Sequence, residues 1–145
     1  MQEELETILR GGQFKRILEN SMTEIRKATG LKRVEVEVIH FLHICGEKNT
    51  MKDICMNLQM NKGHISTAMD SLCKKQYVVA VQDKEDRRYV HYFLTDKSAL
   101  VAERISEKWN DLMAQLSKGI SEKEVEHFKR IARIIGKNMD AMLNK

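Results

Sequence analysis

The sequence predicts a mainly α-helical fold that carries one small β-hairpin. The hairpin is indicated by two stretches rich in β-branched and aromatic residues, 77–81 and 89–94, which flank the hydrophilic run 82–88. On both sides of it, apolar residues recur at the three- and four-residue spacing of amphipathic helices. The chain contains no proline, as expected for long uninterrupted helices. A polar hairpin set within a helical chain is therefore the expected architecture.

The N-terminal segment begins with a short apolar stripe formed by Leu5, Ile8 and Leu9. Two adjacent glycines, Gly11 and Gly12, interrupt this stripe, and helical spacing resumes at Phe14 and continues to Gly30. Because glycine is unfavourable inside a helix, we expect the first helix to be kinked at the glycines or to begin near Gln13.

The segment 33–41 satisfies two patterns at once. Val34, Val36 and Val38 alternate with glutamates, as they would on a half-buried strand. A helical stripe also connects Val34 with Val38 and extends towards Gly46, and this run is longer than the usual strand of about 5 to 6 residues. From these residues alone, strand and helix both remain open.

Two short helices are predicted between residues 50 and 74. Thr50 and Asp53 form the Ser/Thr-x-x-acid pattern of a capping box, and Asn61 is a second favourable N-cap. The inner face of the second helix is marked by Ile65, Ala68, Met69 and Leu72. Its open face begins with small and polar residues, which are Lys62, Gly63, His64, Ser66, Thr67 and Asp70. A helix that enters the DNA major groove has this character, because short side chains let the backbone approach and polar groups address base edges.

The run that connects the two predicted strands contains neither glycine nor proline, so a tight two-residue turn is not indicated. A longer, projecting loop is expected instead. A projecting charged loop that follows a pair of capped helices predicts a winged helix-turn-helix that reads DNA.

The wing and the strand after it carry a family resemblance. The loop reads Asp83-Lys84-Glu85-Asp86-Arg87-Arg88, and the strand runs into Leu94-Thr95-Asp96-Lys97-Ser98. These residues resemble the MarR family of bacterial transcription regulators, in which the wing reads Asp-x-x-Asp-x-Arg and the strand is followed by Leu-Thr-x-x-Gly. Ser98 stands in place of that glycine, and Thr67 stands where a basic residue is common on the recognition helix.

The resemblance implies a helix for the ambiguous segment 33–41. It also implies a single MarR-like domain over residues 1–145, with a winged helix-turn-helix core at 31–95 and a helical dimerisation region at 1–30 and 96–145. The chain after the wing agrees with this layout, since Thr95 can cap a long helix that stops at Gly119, and a capping box at Ser121 opens a last helix. The apolar face of the last helix continues to Met139, Met142 and Leu143. A second copy of the chain is the simplest cover for it, so a homodimer is expected.

The candidate DNA-binding residues are Thr50, Lys62, His64, Ser66, Thr67, Lys84, Asp86, Arg87 and Arg88. On the second short helix, His64 and Thr67 are expected at base edges in the major groove. In the wing, Arg88 is expected to enter a narrow minor groove while Asp86 holds it, and the other wing cations are left for phosphates. The helix start at Thr50 can present backbone N–H groups to phosphate. Two such sets related by a twofold axis would address half-sites roughly 34 Å apart.

Composition limits the other classes of function. With 42% hydrophobic and 32% charged residues in 145, the chain resembles an ordinary soluble domain, and no apolar run approaches the roughly 20 residues of a membrane helix. The acidic N-terminus is not a signal peptide, so a cytoplasmic location is expected. The net charge of +4 is compatible with nucleic acid without requiring it. No catalytic motif is visible, so we expect no enzyme activity and no cofactor.

The expected function is a homodimeric repressor of a pseudo-palindromic operator that a small-molecule effector releases. One alternative is a winged-helix module that holds a partner protein, and another is a regulator that responds to a metal or to thiol oxidation. His40 and His43 share a helical face, but no close cysteine pair completes a four-ligand metal site, so no metal is expected. The cysteines are expected as buried small hydrophobes at Cys45, Cys55 and Cys73. Trp109 and the methionines could line an effector cavity between the dimer helices and the winged core.

Overall fold

The computed structural model describes residues 4, 8 and 11–144, so the expected stripe residues Leu5 and Leu9 lie outside it. Within these residues the elements are, in order, α1 (Gly12–Ser21), α2 (Thr23–Thr29), α3 (Arg33–Ile44), α4 (Met51–Leu58), α5 (Lys62–Lys74), β1 (Val78–Gln82), β2 (Val90–Leu94), α6 (Asp96–Leu116) and α7 (Glu122–Leu143). The two strands are antiparallel, with Val78 opposite Leu94 and Gln82 opposite Val90. The predicted mainly α fold with one β-hairpin is confirmed.

The chain divides after Asn110 into two compact units, residues 1–110 and 111–145. The first unit holds α1 to α5, the hairpin and most of α6, and the second holds the end of α6 and α7. The assignment of the whole chain to one domain remains a prediction. In the described part of the chain, no helix combines the length and apolarity needed to cross a membrane.

The first helix begins close to the predicted position and then breaks at a position that was not predicted. Gly11 adopts a left-handed conformation (φ 60°) immediately before α1, so the helix starts one residue ahead of Gln13. At Met22, α1 gives way to α2. There, the hydroxyls of Ser21 and Thr23 donate to main-chain carbonyls three and four residues earlier, at 2.8 and 3.2 Å. Such back-bonding competes with regular helical hydrogen bonds and bends helices.

The ambiguous segment forms the helix α3, as the family resemblance implied. The alternation of valine and glutamate was misleading because Glu35 does not face solvent. Its side chain is 1% exposed, accepts the backbone N–H of Lys32 at 2.7 Å and pairs with the Lys75 ammonium at 3.1 Å. A buried carboxylate bonded in this way occupies a core position that the sequence pattern assigns to solvent.

Helices α4 and α5 form the helix-turn-helix, and both predicted caps are present. Thr50 Oγ1 accepts the backbone N–H of Asp53 at 3.3 Å, and Asn61 Oδ1 accepts that of His64 at 2.9 Å. The turn between the helices contains Gln59 in a left-handed conformation (φ 51°). The inner face of α5 is buried at Ile65, Ala68, Met69 and Leu72. This packing leaves the opposite face of α5 open.

The helices after the hairpin have defined starts. Thr95 precedes α6, but its hydroxyl donates to the carbonyl of Gln76 at 2.6 Å instead of capping the helix. Ser98, which replaces the family's usual glycine, is fully buried and donates to the carbonyl of Thr95 at 2.7 Å. The capping box predicted at Ser121 is present at the start of α7, in which no residue is buried within the chain.

Candidate nucleic-acid interface

The first two turns of α5 present a polar, open surface. Lys62, His64 and Thr67 are exposed, and Ser66 is half-buried. The Thr67 hydroxyl donates to the carbonyl of Gly63 at 3.0 Å. Its proton is therefore used within the helix, and what Thr67 offers outward is a methyl group and an oxygen acceptor. This surface has the small, mixed polar character that base-edge recognition requires.

The wing loop is shaped by hydrogen bonds to two aspartates. Asp83 Oδ1 accepts the backbone N–H groups of Glu85 and Asp86, at 2.8 and 2.9 Å. Both carboxylate oxygens of Asp86 accept hydrogen bonds from the Arg88 guanidinium, from Nη2 to Oδ2 at 2.7 Å and from Nε to Oδ1 at 3.0 Å. The Arg88 side chain is nonetheless 85% exposed. The loop thus holds a cation in a defined orientation on an open surface.

The electrostatics of the loop keep both aspartates charged. The pKa of Asp86 lies below its usual value, chiefly because the Arg88 side chain and backbone donate to it. The pKa of Asp83 is lowered by the backbone N–H of Asp86 and by the His91 side chain. Both residues therefore act as ionised acceptors at neutral pH.

A cleft of about 530 Å³ lies where α4, the start of α5 and the wing meet. Three of the sequence-predicted site residues line it together, namely Thr50, Lys62 and Arg88. Lys52, exposed in the first turn of α4, also lines the cleft. Cations from three separate elements therefore surround one concave surface, and this concentration of positive charge favours binding of a nucleic acid.

Lys52 was missed in the sequence, although its place two residues after the Thr50 cap was a usable signal. Thr50 itself is engaged within its own cap, because its hydroxyl also donates to Asp53 Oδ2 at 2.6 Å. The remaining predicted residues stand outside the cleft, with His64, Ser66 and Thr67 on α5 and Lys84, Asp86 and Arg87 in the wing.

Comparisons with known proteins agree with this geometry. Residues 31–98 match the model of a winged helix DNA-binding domain. The chain is 30% identical over 108 residues to an uncharacterised HTH-type transcriptional regulator, YpoP, of Bacillus subtilis (strain 168), with 74% of each chain covered. The chain belongs to the MarR family of winged-helix transcriptional regulators. Family and fold are those of DNA-binding regulators and not those of enzymes.

Solved structures of MarR-type proteins share the fold. A MarR protein from Peptoclostridium difficile aligns with a TM-score of 0.75 at 24% identity, covering 93% of this chain and 88% of that one. Streptococcus pneumoniae FabT, solved in complex with DNA, aligns with a TM-score of 0.70 at 19% identity, covering 98% and 99%.

This MarR-family chain has a second cavity, of about 350 Å³, which is lined by residues of α1 to α4 and α6. Trp109 lines it, with the His40 ring stacked 4.7 Å away and the Phe14 ring edge-on at 6.1 Å. Of the methionines in the described residues, Met22 lines it. Burial lowers the pKa of His40 and raises that of Glu37, so it disfavours the charged form of both lining residues.

The cysteines are not as deeply placed as expected. All three are free and partly buried, at Cys45, Cys55 and Cys73. Burial raises the pKa of the Cys45 and Cys73 thiols, which lowers their reactivity at neutral pH. Across the described residues, no group of three or more potential ligands is arranged to hold a metal ion.

Proposed function

We propose that this chain is a homodimeric repressor that reads a pseudo-palindromic operator with α5 and the wing, and that a small molecule releases it. The observation that carries the proposal is the cleft in which Lys52, Lys62 and Arg88 converge beside the open face of α5. Three elements supply one cation each, and the helix beside them has the side chains suited to a major groove. The DNA complex of the structural relative FabT supports the same use of the fold.

The candidate residues divide into three roles in this proposal. His64 and Thr67 address base edges, with Lys62 and Ser66 beside them on the same surface. Arg88, oriented by Asp86, enters the minor groove. The phosphates are contacted by Lys84, Arg87, Lys52 and the helix start at Thr50.

The dimer is supported by the apolar face of α7. Ile131 and Ile134 are each 46% exposed, and Phe128 and Met142 are exposed further. Apolar side chains in such a number on one helix mark an interaction surface. Because symmetric pairing of identical surfaces is the commonest solution, a second copy of this chain is the proposed partner.

The proposed function is tested by binding to duplex DNA from the chain's own upstream region. We expect that duplex to bind at least about a thousandfold tighter than a scrambled one, with strong salt dependence. A half-operator is expected to bind at least about a hundredfold more weakly than the full operator, because a dimer engages both halves at once. Reporter transcription should rise when the protein is removed.

The double variant Ile131→Glu with Ile134→Glu tests whether the dimer is responsible for this difference. It should sediment as a monomer and bind the full operator no more tightly than the half-operator. If neither duplex binds at low salt, DNA is not the partner, and the alternative hypothesis is that the same surface binds a protein. Equal affinity for half and full operators would overturn the dimer.

The effector is assigned to the cavity beside Trp109. Two residues that line it, Arg26 and His40, each carry a buried side-chain nitrogen, Nε and Nδ1, for which the described residues provide no hydrogen-bond partner. Buried polar groups are normally satisfied, so a ligand with an apolar body and a hydrogen-bonding group fits this cavity.

Trp109 is the only tryptophan of the chain, so its fluorescence reports on this cavity. We expect an effector that releases the operator to quench or shift that emission with the same concentration dependence as release. Trp109→Phe should abolish the optical signal. Release without any change in Trp109 emission would place the effector elsewhere.

A further inference from the structure

His91, on β2, joins two separate parts of the winged core through its ring. Its Nδ1 lies 2.6 Å from Oδ1 of Asn49, and its Nε2 lies 2.9 Å from Oδ2 of Asp83. Nε2 donates to the Asp83 carboxylate, and Nδ1 meets the Asn49 amide, which can present either its oxygen or its NH₂ group. One ring thereby links the residue just before the Thr50 cap with the first residue after β1.

The Asn49 end of this link is held firmly. Asn49 is 3% exposed, and its carbonyl accepts the backbone N–H of Tyr92 at 3.0 Å. Thr50 and His91 also pair in an isolated antiparallel β-bridge. The residues at the start of α4 therefore pair with the hairpin as a third, very short strand. This pairing holds the backbone of His91 in place next to Asn49.

The Asp83 end leads to the DNA-facing cation. The carboxylate oxygen that is not bonded to His91 accepts the N–H groups of Glu85 and Asp86. Asp86 in turn holds the Arg88 guanidinium. A continuous series of hydrogen bonds thus runs from the buried start of α4, through His91 and Asp83, to Arg88.

We propose that His91 is a positioning residue for DNA binding, which fixes the wing loop against the helix-turn-helix and so sets where Arg88 lies over the duplex. A two-stranded hairpin on its own is marginally stable, and a loop that must be ordered during binding lowers affinity. The His91 link orders the loop beforehand. The inference rests on the proposed function, since it requires that Arg88 contact DNA.

Three substitutions at one position separate the two halves of the link. His91→Ala removes both bonds and should weaken operator binding about tenfold, mainly because the bond to the charged Asp83 is lost. His91→Gln places an amide near the position of Nε2, keeps the bond to Asp83, and should stay within about threefold of the native affinity. The shorter side chain of the His91→Asn variant can reach Asn49 but not Asp83, so this variant should bind the operator as weakly as His91→Ala. His43→Ala, which removes an exposed imidazole at the end of α3, should change nothing.

A double-mutant cycle with Arg88→Ala tests whether His91 acts through the wing. In the Arg88→Ala background, His91→Ala should cost less than about twofold, because the group that it positions is already gone. A full tenfold cost in that background would show a general loss of stability and overturn the proposal. Native-like binding by His91→Ala, or no effect of Arg88→Ala itself, would also overturn it. If the native protein binds no operator, the proposed function fails instead, so the two failures are distinguishable.

Discussion

Arg88→Ala is expected to weaken operator binding by about 5- to 150-fold, corresponding to the roughly 1 to 3 kcal/mol of a specific arginine contact. The loss has two causes. The minor-groove cation disappears, and the Asp86 carboxylate, whose charge Arg88 had balanced, is left facing the phosphates. Because Arg88 is 85% exposed, thermal unfolding should be unchanged. Binding isotherms on operator and scrambled duplexes across a salt series measure the loss of affinity and its dependence on DNA sequence and on salt.

Arg87→Ala is the matched control for this prediction. It removes the neighbouring arginine, which is exposed and whose side chain has no ion pair in the described part of the chain. As a phosphate contact, it should weaken both duplexes similarly and reduce the salt slope by about 1. If both arginine variants behave alike, the minor-groove role of Arg88 is refuted.

Glu35→Gln is expected to destabilise the folded chain by about 2 to 4 kcal/mol, because a buried charge-assisted network loses its negative charge and one of its two acceptor oxygens. The Glu35 carboxylate is almost fully buried and bonded to the Lys32 backbone and the Lys75 side chain. Burial alone would raise its pKa, but hydrogen bonds from Ser71, the Lys32 backbone and Lys75 outweigh it, so the pKa is lowered. Denaturant unfolding at a fixed protein concentration measures the loss.

The lowered pKa determines the pH dependence of this contribution. Since the folded pKa of Glu35 lies below its unfolded value of about 4.3, the stabilisation is fully present above that value. It is lost as the pH falls through the folded pKa. The native protein should therefore lose stability in acid more steeply than Glu35→Gln.

Glu37→Gln, two residues further along the same helix, is the matched control with the opposite sign. The pKa of Glu37 is raised, chiefly by burial, so its ionised form is less stable in the folded chain than in the unfolded chain. Its replacement should leave stability unchanged or increase it slightly. A large loss for Glu37→Gln, or none for Glu35→Gln, would contradict this assignment of the two glutamates.

Local signals in the sequence were sufficient for the parts of the fold that depend on near neighbours. The caps at Thr50, Asn61 and Ser121 each involve residues three positions apart, and each is present. The hairpin also followed from short-range composition. Where the partner lies far along the chain, the pattern was insufficient. The alternation around Glu35 was compatible with a half-buried strand, and nothing in it indicated the ion pair with Lys75, which is 40 residues away.

Periodicity, capping patterns and the Asp-x-x-Asp-x-Arg motif were enough to predict the fold class, the helix-turn-helix, the wing and the family, because each of them involves residues close together in the chain. Which cations share a surface became clear only from the folded chain, since Lys52, Lys62 and Arg88 come from three elements and line one cleft only when α4, α5 and the hairpin pack together. The same is true of the bridge that His91 forms between Asn49 and Asp83, a contact between residues 42 and 8 positions apart. Such convergence depends on how elements pack around a common core, and no local pattern encodes it.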